Sequence, residues 1–105
     1  MATVYESNSR ERRVARALLE TAGVIIRPDQ HVTYTSGTKS PIYCDNRALL
    51  SFPNTRTEVV EAYLALIDEH QIQYDVLGGV ATAGIPWGSI IADRLQKPFI
   101  YIREN

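Results

Sequence analysis

Residues 75–87 constrain the fold of this chain more than any other stretch, because they combine a strand, a tight turn and a helix start. Residues 75–80 are short, apolar and bounded by glycine, which predicts a strand that is covered on both faces. Residues 81–84 carry almost no side-chain bulk, so a ligand can approach their backbone closely. Pro86 suits the first turn of a helix, and the helix that follows is expected over residues 87–95.

This turn has two interpretations. A helix N-terminus after such a turn offers free N–H groups and the positive end of the helix dipole, which favour phosphate. Small residues at the same place also allow a helix to pack closely on a sheet without any ligand. No Gly-Lys-Ser/Thr follows, which excludes a P-loop, and the spacing of Gly79 and Gly84 does not fit a dinucleotide fingerprint. The pattern leaves phosphate binding and helix packing both open.

Length, charge and cysteine content narrow the class of protein. The 105 residues allow one small domain, and 45% of them are hydrophobic, enough to fold. Eleven basic and twelve acidic residues give a formal charge of -1, which argues against nucleic-acid binding by bulk charge. The single cysteine excludes an internal disulfide and fits a reducing compartment. The sequence lacks an apolar span or signal core, so we expect a cytoplasmic location.

The first half of the chain predicts a helix followed by a polar hairpin. A helix is expected over residues 9–22, beginning at a capping box formed by Asn8 and Glu11. Residues 24–26 form an apolar link. Residues 31–45 are rich in β-formers and predict two strands that are joined at Ser36 and Gly37.

The second half predicts alternating helices and strands. A second capping box, Thr55 with Glu58, begins a helix that runs to about residue 70. Residues 99–102 are a strong strand, expected to lie parallel to residues 75–80. A parallel sheet needs both faces covered, and only two parallel strands are visible. We therefore expect either a fragment or an obligate partner, and self-association through the strand edge after residues 99–102.

Separated stretches together resemble one family, the orotate phosphoribosyltransferases. Residues 35–47, Thr-Ser-Gly-Thr-Lys-Ser-Pro-Ile-Tyr-Cys-Asp-Asn-Arg, resemble its N-terminal hairpin. Residues 79–86, Gly-Val-Ala-Thr-Ala-Gly-Ile-Pro, with Ala-Asp-Arg-Leu at 92–95, resemble its diphosphate-contacting loop and the helix behind it. Tyr-Ile-Arg at 101–103 resembles the strand end that opens its catalytic loop. The similarity covers nearly all of this chain and about the first half of a family member.

The resemblance implies a fold and an activity. The fold is α/β, a partial Rossmann-like type I phosphoribosyltransferase fold. An N-terminal helix and base-binding hairpin occupy residues 1–51, and an incomplete parallel sheet with flanking helices occupies residues 52–105. The implied reaction joins orotate to phosphoribosyl diphosphate with Mg²⁺ and releases orotidine monophosphate and diphosphate in pyrimidine nucleotide biosynthesis. The family is a cytosolic homodimer whose active sites share residues across the interface.

The resemblance also assigns roles to single residues. Tyr43 and Cys44 match the hairpin residues that border orotate, and Lys39 lies in the same motif. The alternative role of Lys39 is that of a solvated lysine in the turn.

Four further residues match positions that contact phosphoribosyl diphosphate. Thr82 and Ala83 match the turn that meets the diphosphate, where only backbone N–H groups act at Ala83. Thr35 occupies a position where lysine is common, which leaves only a hydroxyl contact. Arg103 matches an arginine that reaches the diphosphate, often in the neighbouring subunit, and its alternative role is a charged strand end.

Catalytic elements of the family that this sequence lacks predict that the chain alone is inactive. The catalytic-loop lysine and histidine, and the later strand that ends in two acidic residues, lie beyond residue 105. We therefore expect no catalytic residue and no metal ligand within this chain. The alternative function is a non-catalytic nucleotide- or phosphate-binding or regulatory relative of the same fold. A phosphoribosyltransferase for another base is disfavoured by the hairpin.

Overall fold

The computed structural model describes residues 9–21 and 23–104. The helices among them are α1 (Arg10–Glu20), a 3₁₀ helix (Asn46–Ser51), α2 (Pro53–Glu69) and α3 (Gly84–Leu95). The strands are β1 (Val24–Ile26), β2 (Val32–Thr33), β3 (Lys39–Ser40), β4 (Ile42–Cys44), β5 (Leu77–Val80) and β6 (Phe99–Ile102). The mixture of helices with a small parallel sheet confirms the predicted partial α/β fold.

The chain divides into two compact units, residues 1–58 and residues 59–105. The first contains α1, the four short antiparallel strands, the 3₁₀ helix and the start of α2. The second contains the rest of α2 and the β5–α3–β6 segment. The predicted organisation, with a base-binding part over residues 1–51 and a core over residues 52–105, stays a prediction.

Helix α1 begins one residue after its cap. The Ser9 hydroxyl accepts a hydrogen bond from the Arg12 N–H at 3.3 Å, which satisfies one of the free donors of the first turn. The predicted cap at Asn8 lies outside the described residues. At the other end, Gly23 donates its N–H to the Leu18 carbonyl at 2.8 Å and ends the helix as predicted.

The segment between α1 and the hairpin is a strand and not the predicted link. Strand β1 pairs antiparallel with β4, with Ile25 opposite Tyr43. The Asp45 N–H donates to the Gly23 carbonyl at 2.6 Å and extends this pairing. The prediction was wrong because three apolar residues carry no period that distinguishes a strand from a link.

The predicted hairpin is split. Strands β2 and β3 pair antiparallel, with Val32 opposite Ser40, and the turn between them contains Gly37 at a φ of 91°. That left-handed backbone favours glycine, which confirms the predicted turn. The second predicted strand is interrupted at Pro41, and β4 then pairs with β1. Proline has no N–H for the ladder, which explains the break.

Helix α2 begins earlier than its predicted cap. Thr55 lies inside the helix, and its hydroxyl donates to the Phe52 carbonyl at 3.0 Å instead of accepting a backbone N–H. Glu58 pairs with Arg13 at 3.3 Å. The predicted capping box is therefore wrong, because Pro53 already fits the first turn of a helix.

In the second unit, β5 and β6 are parallel neighbours joined by α3, as predicted. Helix α3 begins at Gly84 and not at residue 87, so Pro86 lies inside its first turn. Trp87, Ile91 and Ala92 are its buried residues. These side chains make α3 the apolar cover of one sheet face.

The opposite face of the β5–β6 sheet is uncovered by the described residues. Val80, Ile100 and Ile102 are 63%, 53% and 52% exposed. An added Cβ at Gly78 would lie 3.1 Å from Ile102 Cδ1, which puts Gly78 and Ile102 on one face. The prediction that β5 is covered on both faces was wrong for this chain, since only Gly79 in that strand is buried.

Across the described residues, no helix is both long and apolar enough to cross a membrane.

Candidate functional site

The turn after β5 presents unpaired amides at the start of α3. The Ala81 N–H donates to the Ile102 carbonyl at 2.7 Å, and the Ala81–Thr82 peptide bond is cis. Thr82 and Ala83 are exposed. Within residues 9–21 and 23–104, no acceptor takes the N–H groups of Thr82, Ala83 and Gly84. Free amides at the positive end of a helix dipole can bind an anion, so the turn retains the chemistry predicted for it.

The glycines beside this turn serve helix packing. An added Cβ at Gly79 would lie 2.7 Å from the Gly84 carbonyl oxygen and 3.0 Å from Phe99 Cζ. One at Gly88 would lie 2.8 Å from Phe99 Cε1. The distances of 2.7 and 2.8 Å are too short for a real Cβ, so α3 lies directly on β5 and β6. The two interpretations of the sequence therefore concern different residues: Gly79 and Gly88 serve packing, and anion binding stays a prediction for the exposed turn.

Arg103 lies at the same edge of the sheet as the turn. Strands β5 and β6 are parallel, and Val80 pairs with Ile102, so both carboxyl ends meet at one edge. Arg103 directly follows Ile102, the residue whose carbonyl binds the Ala81 N–H. Its guanidinium carbon lies 5.6 Å from the centre of the Tyr101 ring. An arginine fork matches the geometry of phosphate oxygens, and Arg103 follows the strand that ends at the same edge as the turn.

Strand β4 carries the predicted orotate contacts in the first unit. Tyr43 is half-buried, and its ring lies 6.1 Å from that of Tyr34 at an angle of 50°. The Tyr34 hydroxyl donates to the Ile42 carbonyl. Cys44 is exposed, and its thiol donates to Asn46 Oδ1 at 3.5 Å. Tyr43 and Cys44 are consecutive residues of β4, so strand alternation directs their side chains to opposite faces, and their roles toward orotate stay predictions.

The end of β4 is fixed by an ion pair with two hydrogen bonds. Arg47 Nε donates to Asp45 Oδ1 at 2.8 Å, and the Arg47 terminal NH₂ group donates to Asp45 Oδ2 at 3.0 Å. The Asp45 carboxylate also accepts the Arg47 backbone N–H at 3.0 Å and caps the 3₁₀ helix. The Arg47 side-chain bonds, and then its backbone bond, lower the pKa of Asp45. The hydrogen bonds to Asp45 in turn raise the pKa of Arg47.

The remaining two predicted residues lie on the hairpin of the first unit. Lys39 is exposed and begins β3, opposite Thr33. Thr35 is exposed and lies in the turn after β2. The structure thus brings Tyr43, Cys44, Lys39 and Thr35 into the first unit. It brings Thr82, Ala83 and Arg103 to one sheet edge in the second.

Two features of the candidate site escaped the sequence analysis. Strand alternation indicates that Tyr101 and Arg103 share a face, because residues two apart point to the same side, although it gives no distance between them. The fork between Asp45 and Arg47 follows from an aspartate that directly follows a strand and folds back on the residue two positions ahead. Both signals were present in the sequence.

The described residues contain no group of three or more histidine, cysteine, aspartate or glutamate side chains that could hold a metal ion. The turn at residues 82–84 presents N–H donors, which do not ligate a cation. The residues described here therefore do not themselves fit a magnesium site.

Comparison with known proteins identifies the family that the chain resembles. Orotate phosphoribosyltransferase from Streptococcus agalactiae serotype Ia is 50% identical over 94 residues, which are 90% of this chain and 45% of that protein. The chain matches the N-terminal half of orotate phosphoribosyltransferases. The resemblance predicted from the separated stretches is confirmed. The chain spans less than half the length of that relative. No protein-family model matches the chain.

Solved structures give the same assignment of fold. Orotate phosphoribosyltransferase from Aeropyrum pernix aligns with a TM-score of 0.73 at 29% identity, covering 86% of this chain and 52% of that one. Adenine phosphoribosyltransferase from Saccharomyces cerevisiae aligns with a TM-score of 0.63 at 15% identity, covering 86% and 52%. The second likeness shows the fold alone. It is the sequence identity, and not the fold, that distinguishes the orotate enzymes here.

Proposed function

We propose that this chain provides the N-terminal half of an enzyme that transfers the phosphoribosyl group of phosphoribosyl diphosphate to orotate. The observation that carries the proposal is the 50% identity over 94 residues to an orotate phosphoribosyltransferase. In this reaction the bond between ribose and diphosphate breaks as the bond between ribose and orotate forms. The products are orotidine monophosphate and diphosphate.

The diphosphate end of the substrate is assigned to the second unit. Negative charge grows on the diphosphate oxygens as the ribose bond breaks, and fixed donors lower the energy of that state. The amides of Thr82 and Ala83 and the start of α3 supply such donors, and Arg103 adds a charged fork. The family resemblance is the basis for assigning Thr35 a hydroxyl contact to phosphoribosyl diphosphate.

The orotate end is assigned to strand β4 and the hairpin. The half-buried Tyr43 ring offers an apolar face to the base, and Cys44 borders it. Lys39 provides a positive charge for the orotate carboxylate from the hairpin.

Magnesium, dimer formation and cytoplasmic location are further parts of the proposal. Magnesium would come with phosphoribosyl diphosphate and would neutralise part of the charge of that substrate. The homodimer follows from the family resemblance, in which active sites share residues across the interface. The cytoplasmic location is proposed because the chain has a single cysteine and its sequence contains no apolar span or signal core.

The test is a reconstituted enzyme. Residues 1–105 replace the corresponding N-terminal segment of the Streptococcus agalactiae relative, and orotate consumption is followed by absorbance. The hybrid is expected to form orotidine monophosphate, and the 105-residue chain alone is expected to form none. A folded hybrid that binds phosphoribosyl diphosphate but ignores orotate would overturn the assignment. Tight orotidine monophosphate binding by a chain whose hybrid is inactive would favour a non-catalytic binding module.

A further inference from the structure

We propose that Tyr101 is a positioning residue for Arg103, whose guanidinium it holds by a cation–π contact at the diphosphate-binding edge of the sheet. The contact joins the Arg103 guanidinium carbon to the Tyr101 ring centre at 5.6 Å. The inference rests on the proposed function, because it assumes that this edge receives the diphosphate.

Tyr101 and Arg103 lie on the face of the β5–β6 sheet that α3 covers. Phe99 contacts Gly79 and Gly88, so its side chain points toward α3. Tyr101 is two residues further along the same strand and points to the same face. Its ring contact brings the guanidinium of Arg103 to that side too. The pair therefore lies on the sheet face that α3 covers, at the edge of the sheet where β5 and the turn after it also end.

The exposure of Tyr101 separates its role from that of Phe99. Phe99 is packed between strand and helix, whereas Tyr101 is 53% exposed. A half-exposed ring adds little to a core, but it offers a flat surface to a guanidinium. Tyr101 is therefore available for a contact at the site rather than for packing.

The contact with the ring also leaves the arginine able to bind an anion. A guanidinium that lies on a ring uses its flat face for the contact and keeps its N–H donors directed outward in its plane. The residues described here give Arg103 no ion pair. The ring thus restricts the rotamers of a long side chain without occupying its donors, which reduces the entropy lost when the diphosphate binds.

The test measures binding of inorganic diphosphate to the 105-residue chain by calorimetry. The single tryptophan, Trp87 in the first turn of α3, gives a second readout by fluorescence. Tyr101→Leu removes the ring and is expected to weaken binding about two- to fivefold. Tyr101→Phe keeps the ring and is expected to bind like the original chain.

Two controls separate positioning from general stability. Tyr74→Leu removes the other cation–π contact of this unit, in which the Lys97 ammonium lies 5.2 Å from the Tyr74 ring, and it should leave diphosphate binding unchanged. Tyr101→Leu combined with Arg103→Ala should bind no more weakly than Arg103→Ala alone, because the ring acts only through the arginine. Tyr101→Thr, which keeps a strand-forming residue, replaces the leucine variant if that variant does not fold.

The outcomes are distinct. Failure of the unaltered chain to bind diphosphate overturns the proposed diphosphate site and this inference with it. Diphosphate binding that is equal in the original chain and the Tyr101→Leu variant overturns the inference alone. So does a Tyr101→Leu effect that persists in the absence of Arg103, or a loss in Tyr101→Phe as large as that in Tyr101→Leu.

Discussion

Asp45 makes three hydrogen bonds to one residue, Arg47, at the point where strand β4 ends. Two go to the guanidinium and one to the backbone N–H. The Asp45 N–H donates to the Gly23 carbonyl, and the Asp45 side chain caps the 3₁₀ helix. Asp45 therefore connects β4 both to β1 and to the 3₁₀ helix. Because Tyr43 and Cys44 immediately precede it, the geometry of the predicted orotate contacts depends on this residue.

Replacement of Asp45 by asparagine tests this role through pH. The hydrogen bonds from Arg47 lower the pKa of Asp45 below its ordinary value of 3.8, so folding favours the ionised carboxylate. Its contribution to stability is therefore present above that value and is lost as the pH falls through the lower folded pKa. We expect Asp45→Asn to lower the melting temperature at neutral pH, and the difference to shrink below about pH 4.

The control is Asp29→Asn, since Asp29 is exposed in the turn before β2. Its substitution should leave the melting temperature unchanged at every pH. A difference between the original chain and Asp45→Asn that stays constant into acid would contradict the charged role of Asp45.

At the scale of elements, glycine backbone lets α3 approach the sheet closely, in addition to the burial of its apolar side chains. Gly79 of β5 and Gly88 of α3 face each other, and Phe99 of β6 lies against both. A helix can approach a strand this closely only where neither carries a Cβ. The position of the free amides at residues 82–84 therefore depends on two glycines outside the turn itself.

Matched alanine substitutions on the two faces of β5 test this packing. A Cβ at Gly79 would lie 2.7 Å from the Gly84 carbonyl oxygen and 3.1 Å from Ile85 Cα, both backbone atoms that cannot turn away. We expect Gly79→Ala to lower the free energy of unfolding by about 1–3 kcal/mol, measured by urea denaturation.

Gly78→Ala is the control on the other face. Its Cβ would meet Ile102 Cδ1 at 3.1 Å, the far end of an exposed flexible side chain. Loss of backbone freedom in the unfolded chain offsets that contact, so stability should stay within about 1 kcal/mol of the original. Equal destabilisation by Gly78→Ala and Gly79→Ala would contradict the close approach of α3 to one face only.

The elements that could be predicted are those with a long or distinctive pattern. Helix α1, the turn at Gly37 and the parallel β5–α3–β6 segment each carry periodicity, glycine punctuation or a strong strand composition. Strand β1 could not be predicted, because a strand of three residues exists only through its pairing with β4. The cap of α2 was misplaced because Pro53 and Thr55 both carry start signals and only tertiary context selects between them.

The candidate site was predictable to different degrees. The turn at residues 82–84 was predicted from the strand–turn–helix pattern, whereas Arg103 was singled out only by the family resemblance. Parallel strands end at one edge, which is why both lie there. The distinction between Gly79, which packs, and the turn, which presents amides, needed the distance between β5 and α3. The contact of Tyr101 with Arg103 also needed side-chain positions, because alternation gives a shared face but no distance.

At the scale of the whole molecule, one sheet face decides how the chain behaves in solution. The face formed by Val80, Ile100 and Ile102 is apolar, and the described residues leave it exposed. Parallel sheets are stable when both faces are covered, and an exposed apolar strand edge pairs readily with another chain. The chain is therefore expected to form dimers or larger species.

Sedimentation velocity tests this expectation over a range of protein concentrations. Ile100→Lys places a solvated charge on the exposed face and should shift the population toward monomer, since burying an unpaired ammonium is costly. Leu19→Lys is the matched control, because Leu19 is 62% exposed on α1 in the other unit and should not alter association. Because the Ile100 side chain is already 53% exposed, Ile100→Lys should keep the fold, and circular dichroism would check this. A monomeric original chain, or association that Ile100→Lys leaves unchanged, would show that this face does not drive assembly, and the proposed homodimer would then need a different surface.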